Sequence, residues 1–203
     1  KLQALLVNLE SHHLGKVDQP SFTHFYIDDL DSVSHRHGPM SGKTGSLLRL
    51  IDSELVKTAD AAGEKIRIIV SADHGHIHVS KERHHILEAD DELLSLLVVP
   101  PSGESRNPIF HVKDGLDEEF RTLFNSRYEE DFLLVSPDGL EHEKLMGPGS
   151  FSGTTRDRLG NYIGIARADS AIEYVKPAEE SRGHRGMHGG LSKNEIQVPL
   201  FLN

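Results

Sequence analysis

The apolar positions of this chain fall into short blocks whose spacing alternates between the helical period of about 3.6 and the near-continuous runs of buried strands. Leu2, Leu5, Leu6 and Leu9 recur at helical spacing, so residues 1–15 are predicted to form a helix closing against a sheet, with 15–20 as a linker. Residues 22–27, aromatic and β-branched, are predicted as a strand. Leu47, Leu48, Ile51, Leu55 and Val56 give 41–62 the apolar stripe of a long helix. Residues 66–70 are apolar almost throughout, the pattern of a strand buried on both faces in a parallel sheet. Strand, helix and strand in that order make one βαβ unit and place the chain in the α/β class.

Further along, 93–99 is an apolar stretch stopped by Pro100 and Pro101, and 101–108 reads as a loop. Strands are predicted at 109–112 and 132–135, and a short amphipathic helix at 116–124. Residues 140–146 look helical before the Gly147-Pro148-Gly149 break. A strand leads to Ala166, 169–175 is predicted to pair with it as a hairpin, and 198–202 supplies a closing strand.

Composition narrows the class. The 203 residues amount to one domain's worth of chain. A net charge of −10, with 22 scattered Lys and Arg, argues against a nucleic-acid duplex as partner, because that requires a basic stripe. No apolar run approaches the ~20 residues of a membrane span, so no membrane partner is expected. The absence of cysteine removes disulfides and thiolate ligands and fits a reducing compartment. With no signal-peptide pattern in view, a cytoplasmic location is expected. Any metal site must therefore use imidazole and carboxylate, and 14 histidines are many for this length.

The chemistry gathers where predicted strands end, as ligand sites do in α/β sheets. The 66–70 strand runs into Asp73-His74-Gly75-His76, and adjacent Asp and His can both reach one ion from a loop. The 22–27 strand runs into Asp28-Asp-Leu-Asp31-Ser-Val-Ser-His35-Arg-His37-Gly-Pro39. Asp31 and His35, four apart, converge if the backbone makes about one helical turn, and both suit zinc or manganese. The alternative is that Asp28, Asp29 and Asp31 cap a helix and the histidines are solvated. Near the end, glycines surround His184 and His188. Gly42-Lys43-Thr44 is no phosphate-binding P-loop, because His37 stands where that loop needs its first glycine.

Taken together, Tyr26-Ile-Asp-Asp-Leu-Asp31-Ser-Val-Ser-His35-Arg-His-Gly-Pro39, Ser71-Ala-Asp73-His74-Gly75 and His188-Gly-Gly with Glu195 and Val198-Pro199 resemble the type I phosphodiesterase/nucleotide pyrophosphatase branch of the alkaline phosphatase superfamily. The resemblance implies an alkaline phosphatase-like α/β core with a largely parallel sheet flanked by helices. It implies two divalent ions, zinc or manganese: Asp31, His35 and His188 would hold the first, and Asp73 and His74 the second. His37, His76 and His184 would be candidates to orient those ligands. The activity implied is hydrolysis of phosphate esters or phosphodiesters, nucleotides among them, with two ions neutralising the phosphoryl centre. The family's Thr or Ser nucleophile and a further Asp lie well upstream of the first block. Residues 1–203 are therefore expected to be the carboxyl-terminal part of one such domain, hydrolysing little alone. Ser34 stands where the family commonly has glycine, a tolerable change if the backbone there is not left-handed. Arg156, Arg158 and Asn161 are candidate pocket residues. Competing assignments are a phosphomutase-like or sulfatase-like branch and a catalytically inactive PglZ-like binding domain.

Overall fold

The computed structural model describes Pro20, residues 22–62 and 67–177, Ser181 and residues 183–202. Helices α1 (Asp29–His37) and α2 (Gly42–Ala62) come first, then β1 (Ile69–Ser71), β2 (Ile77–His78), a 3-10 turn at Lys81–Arg83 and β3 (His84–Leu87). Next are α3 (Glu92–Ser95), β4 (Ser102–Glu104), β5 (Asn107–Phe110), α4 (Asp117–Tyr128), β6 (Phe132–Val135), α5 (Pro137–His142) and α6 (Gly153–Leu159). The remaining elements are β7 (Tyr162–Ala166), β8 (Ala171–Tyr174), β9 (Gly186–Met187), α7 (Lys193–Ile196) and β10 (Leu200–Leu202). They sort into two compact units, one comprising Lys1–Asp73, His184–Gly186 and Val198–Asn203, the other His74–Gly183 and Met187–Gln197.

In the first unit α1 closes at Gly38, whose φ of 89° suits a residue without Cβ. Ser41 then opens α2, its Oγ accepting from Thr44 N at 3.1 Å, while the Thr44 hydroxyl donates to Gly38 O at 2.8 Å. The Gly-Lys-Thr triplet thus starts a helix, which accounts for it without a phosphate. β1 and β10 pair antiparallel, Val70 opposite Phe201. No large apolar side chain described in this unit is buried, and Ile69 and Phe201 are more than 60% exposed. The doubly buried parallel strand expected at 66–70 is instead this short exposed ladder, with Ile66 outside the described residues. Residues 22–28 form no regular element, and Phe22 stands 88% exposed: β-branched and aromatic composition makes a strand only where a ladder and a covering layer exist. The predicted helix at 1–15 also lies outside the described residues.

The second unit carries the core. Phe120, Phe124 and Tyr128 fall on one stripe of α4, and their rings pack successively at 5.8 and 5.2 Å between centroids. Phe110, Phe132, Leu87, Leu93 and Ile172 join the same cluster, each 2% exposed or less. Behind it lies the four-stranded antiparallel sheet β4-β5-β7-β6. β3 and β8 pair in parallel, His84 opposite Ala171. The α/β class holds, while the largely parallel sheet expected is, among the described ladders, mostly antiparallel with β3–β8 as the parallel exception. The expected hairpin of 169–175 with β7 does not form, and the expected loop at 101–108 is the β4–β5 hairpin. Both departures trace to Arg106.

Arg106 sits in the β4–β5 turn, fully buried, and donates through Nε and Nη2 to both carboxylate oxygens of Glu195 at 2.6 and 2.8 Å. Its remaining donors reach Ser170 O and Ala168 O, which fixes the turn after β7 and sends β8 away from that sheet towards β3. Glu195, 2% exposed, also accepts from Gly190 N at 2.8 Å and Ser192 Oγ at 2.6 Å, and its bond from Ser192 N at 3.3 Å is one half of the capping box of α7. Burial pushes its carboxyl up, but Arg106, Ser192 and the Gly190 amide together outweigh that and hold it below the ordinary carboxylate value. No described helix is long and apolar enough to cross a membrane.

Glu195→Gln, leaving Arg106 buried without its counter-charge, is expected to destabilise the chain by about 3–5 kcal/mol in urea unfolding. Because the folded pKa is depressed, the carboxylate's contribution is complete above about pH 4.3 and is lost as pH falls through the folded value. The gap between wild type and Glu195→Gln should therefore narrow on acidification below that point.

Candidate metal centre

In the first unit the candidate ligands hang from α1. Four residues make about one turn, so Asp31 and His35 share a face, with Asp31 Oδ1 3.3 Å from His35 Nε2. The other ring nitrogen, Nδ1, lies 2.7 Å from Gly186 O. A carbonyl only accepts, so Nδ1 carries a proton, and Nε2 is the ring atom that faces the carboxylate. A metal ion between the two atoms, or a proton on Nε2, would satisfy that approach. Zinc–ligand bonds of about 2.0–2.1 Å at the tetrahedral angle separate two donors by about 3.3–3.4 Å, so the pair fits a metal ion.

The backbone of 184–186 makes this possible. Arg185 N donates to His35 O at 2.8 Å, and Gly186 lies so close to α1 that a Cβ there would come within 2.4 Å of Ser34 O. Only glycine brings its carbonyl under the His35 ring. Ser34 is helical and buried, its hydroxyl bonded to Leu30 O at 2.7 Å, so the serine in the usual glycine place costs no left-handed strain. His184 lies beside His35, ring centroids 4.5 Å apart. Tyr26 donates weakly to Asp73 Oδ2 at 3.4 Å, and the charge of Asp73, aided by burial and by Asp31, raises its phenol above the ordinary value. His37 is turned instead towards Lys43, Nε2 to Nζ 3.5 Å; burial first, then Lys43, Arg185 and Arg36, lower its pKa.

In the second unit His74, Gly75 and His76 form a tight turn against α7. Gly75 N donates to Glu195 O at 2.8 Å, and a Cβ on Gly75 would fall 2.0 Å from Asn194 O. His74 Nδ1 donates to Gly75 O at 3.1 Å. The ring of His188 stacks on His74 at 3.7 Å between centroids and meets His76 edge-on at 5.0 Å. Among the described residues, the side chains suited to a metal ion are Asp31 and His35 in the first unit and His76 and His188 in the second.

The candidate pocket residues are otherwise engaged. Arg156 pairs with Asp138 and Glu141, Asn161 Oδ1 accepts from Val112 N at 2.9 Å, and Arg158 is exposed. Arg106 was invisible in the sequence, since an arginine between a serine and an asparagine in a polar stretch looks like any solvated cation. The one signal was Glu195, a carboxylate three residues after Ser192 at a helix start.

The sequence profile of the type I phosphodiesterase/nucleotide pyrophosphatase family matches residues 1–191. The chain belongs to that family. It lies in the alkaline phosphatase superfamily. Over 75 residues it is 32% identical to rat ectonucleotide pyrophosphatase/phosphodiesterase family member 3, covering 34% of this chain and 9% of that protein. Over 75 residues it is 29% identical to venom phosphodiesterase 2 of Crotalus adamanteus, again 34% of this chain and 9% of the relative. In fold it resembles human ectonucleotide pyrophosphatase/phosphodiesterase 5, with a TM-score of 0.74 and 15% identity over 100% of this chain and 52% of that one. The murine counterpart, as an inactive variant in complex with AMP, gives 0.72 and 16% over 100% and 51%. Phosphonoacetate hydrolase from Sinorhizobium meliloti gives 0.56 and 18% over 85% and 43%. The chain thus spans about half the length of those two phosphodiesterases, and the match to the curated relatives covers 9% of their length.

Gly75→Ala has no room for its methyl group against the Asn194 carbonyl. It is expected to lower the unfolding midpoint and to displace His74 and His76, read as altered histidine ring resonances in NMR spectra, where Gly42→Ala, facing open space, leaves those resonances in place.

Proposed function

We propose that this chain supplies the metal-binding part of a phosphoric ester hydrolase of the nucleotide pyrophosphatase/phosphodiesterase type. Asp31, His35 and His188 hold one divalent ion, and Asp73 and His74 a second. The observation that carries this is the Asp31–His35 pair, its Nε2 facing a carboxylate oxygen 3.3 Å away while Nδ1–H is tied to Gly186 O. An imidazole locked into one tautomer by a backbone carbonyl is how metal-ligating histidines are oriented and made more basic. His74, with Nδ1 on Gly75 O, repeats the device.

Two divalent ions, zinc or manganese, would neutralise the phosphoryl oxygens and stabilise the entering and leaving oxygens of an in-line displacement. The chain's own residues serve that chemistry by staying fixed. His35 keeps its proton on Nδ1 and shares only Nε2. Asp73 takes the Tyr26 hydroxyl on Oδ2, which limits rotation of the carboxylate. His184, beside the His35 ring, restricts its tilt. A nucleotide or other small phosphodiester is the substrate class; the AMP complex of the murine relative and the names of the curated relatives support it.

Elemental analysis of the purified chain is expected to find at least about one zinc or manganese per chain in wild type and a loss in both Asp31→Ala and His188→Ala. Hydrolysis of a chromogenic phosphodiester by the protein carrying this chain should fall by about 100-fold or more in the same variants. Metal content unchanged in both variants would sink the assignment.

A further inference from the structure

The aspartate–histidine motif after β1 is followed by a second imidazole, His76, for which the ligand assignment above has no ligating use. We propose that His76 is itself a metal ligand, sharing with His188 the ion assigned to that residue; the inference rests on the two-ion reading above.

Three observations within the second unit carry it. His76 and His188 have ligand nitrogens within 4.8 Å of each other. Two zinc–nitrogen bonds span at most about 4.2 Å, so a modest side-chain rotation places both on one ion. The relative tilt of the rings is the second. Imidazole lone pairs lie in the ring plane, and the stacked His74 and His188 rings, only 16° from parallel with centroids 3.7 Å apart, keep theirs in separate, nearly parallel planes that do not meet at one ion. Those two therefore serve different ions, as assigned. His76 stands at 73° to His188 with centroids 5.0 Å apart, an orientation that lets in-plane lone pairs converge.

The third is that both side chains spring from one small apolar cluster. Val79, Ala171 and Met187 are buried together with Ile77 against them, so the residues next to His76 and His188 are held in the same packing. On its other side His76 adjoins Gly75, whose amide is bonded to Glu195 O. A side chain flanked by two anchored neighbours loses little entropy on coordinating. Oriented this way, His76 gives the ion an additional neutral donor, which raises affinity without cancelling the positive charge that a phosphoryl group must meet.

The test uses the purified chain loaded with Co2+, whose visible d–d absorption reports the ligand set, alongside Zn2+ affinity by competition with a chelator. The variants are His76→Ala, His76→Gln and His76→Gly with and without free imidazole, with His188→Ala and Asp31→Ala as controls and circular dichroism to confirm folding. His76→Ala and His76→Gln are expected to shift the Co2+ band and weaken binding by more than about 100-fold, beyond the 10–100-fold cost of losing a hydrogen-bonding neighbour. Free imidazole should restore the band in His76→Gly. An unchanged band with a smaller affinity loss, or no response to imidazole, overturns direct ligation while the two-ion reading stands. A wild-type chain that takes up no metal overturns both.

Discussion

A buried arginine is tolerable only when every charge and donor it carries is answered, and much of the second unit follows from how Arg106 is answered. Its fork takes both oxygens of Glu195, and its other hydrogens take the carbonyls of the turn after β7. Glu195 in turn collects the Gly190 amide and the Ser192 hydroxyl, while its own carbonyl receives Gly75 N. One ion pair thus ties together the β4–β5 turn, the 167–170 turn, the loop after His188 and the turn bearing His74 and His76. The aromatic stripe of α4 gives the unit its bulk hydrophobic stabilisation. The ion pair decides which loops meet.

The two candidate half-sites are built by different means. In the first unit a helix supplies the spacing, and a close-packed glycine supplies a carbonyl to orient the ring. In the second, no helix carries the histidines; loops do, and the loops are held by the buried carboxylate. That division suits their chemistry. A helical Asp–His pair needs only its period to converge, whereas imidazoles drawn from distant parts of the chain need a shared anchor.

Candidate ligands were easier to pick out in the sequence than strand pairing. Asp31, His35, Asp73, His74 and His188 stand out because their chemistry is local: acids and imidazoles at element ends, spaced as ligands are. The long helix at 42–62, α4 and β6 were equally plain from periodicity. Pairing was not. The β4–β5 hairpin and the parallel partner of β8 depend on where Arg106 and Glu195 meet, 89 residues apart in the chain. Periodicity reports which way a side chain faces; it carries no record of which distant charge will answer it. Residues 22–27 failed for the complementary reason, since strand composition without a paired neighbour makes no strand.

The amide of Gly75 illustrates what such an anchor does over time. Its hydrogen bond ends on the backbone of the residue whose side chain is the most thoroughly satisfied carboxylate in the unit. Solvent reaches that amide only when the Glu195 cage comes apart, an opening on the scale of the whole unit rather than of a loop. His74 and His76 flank it on both sides. Hydrogen exchange at this position should accordingly be as slow as at core strands, so that a turn lying at the surface of the chemistry keeps the clock of the interior.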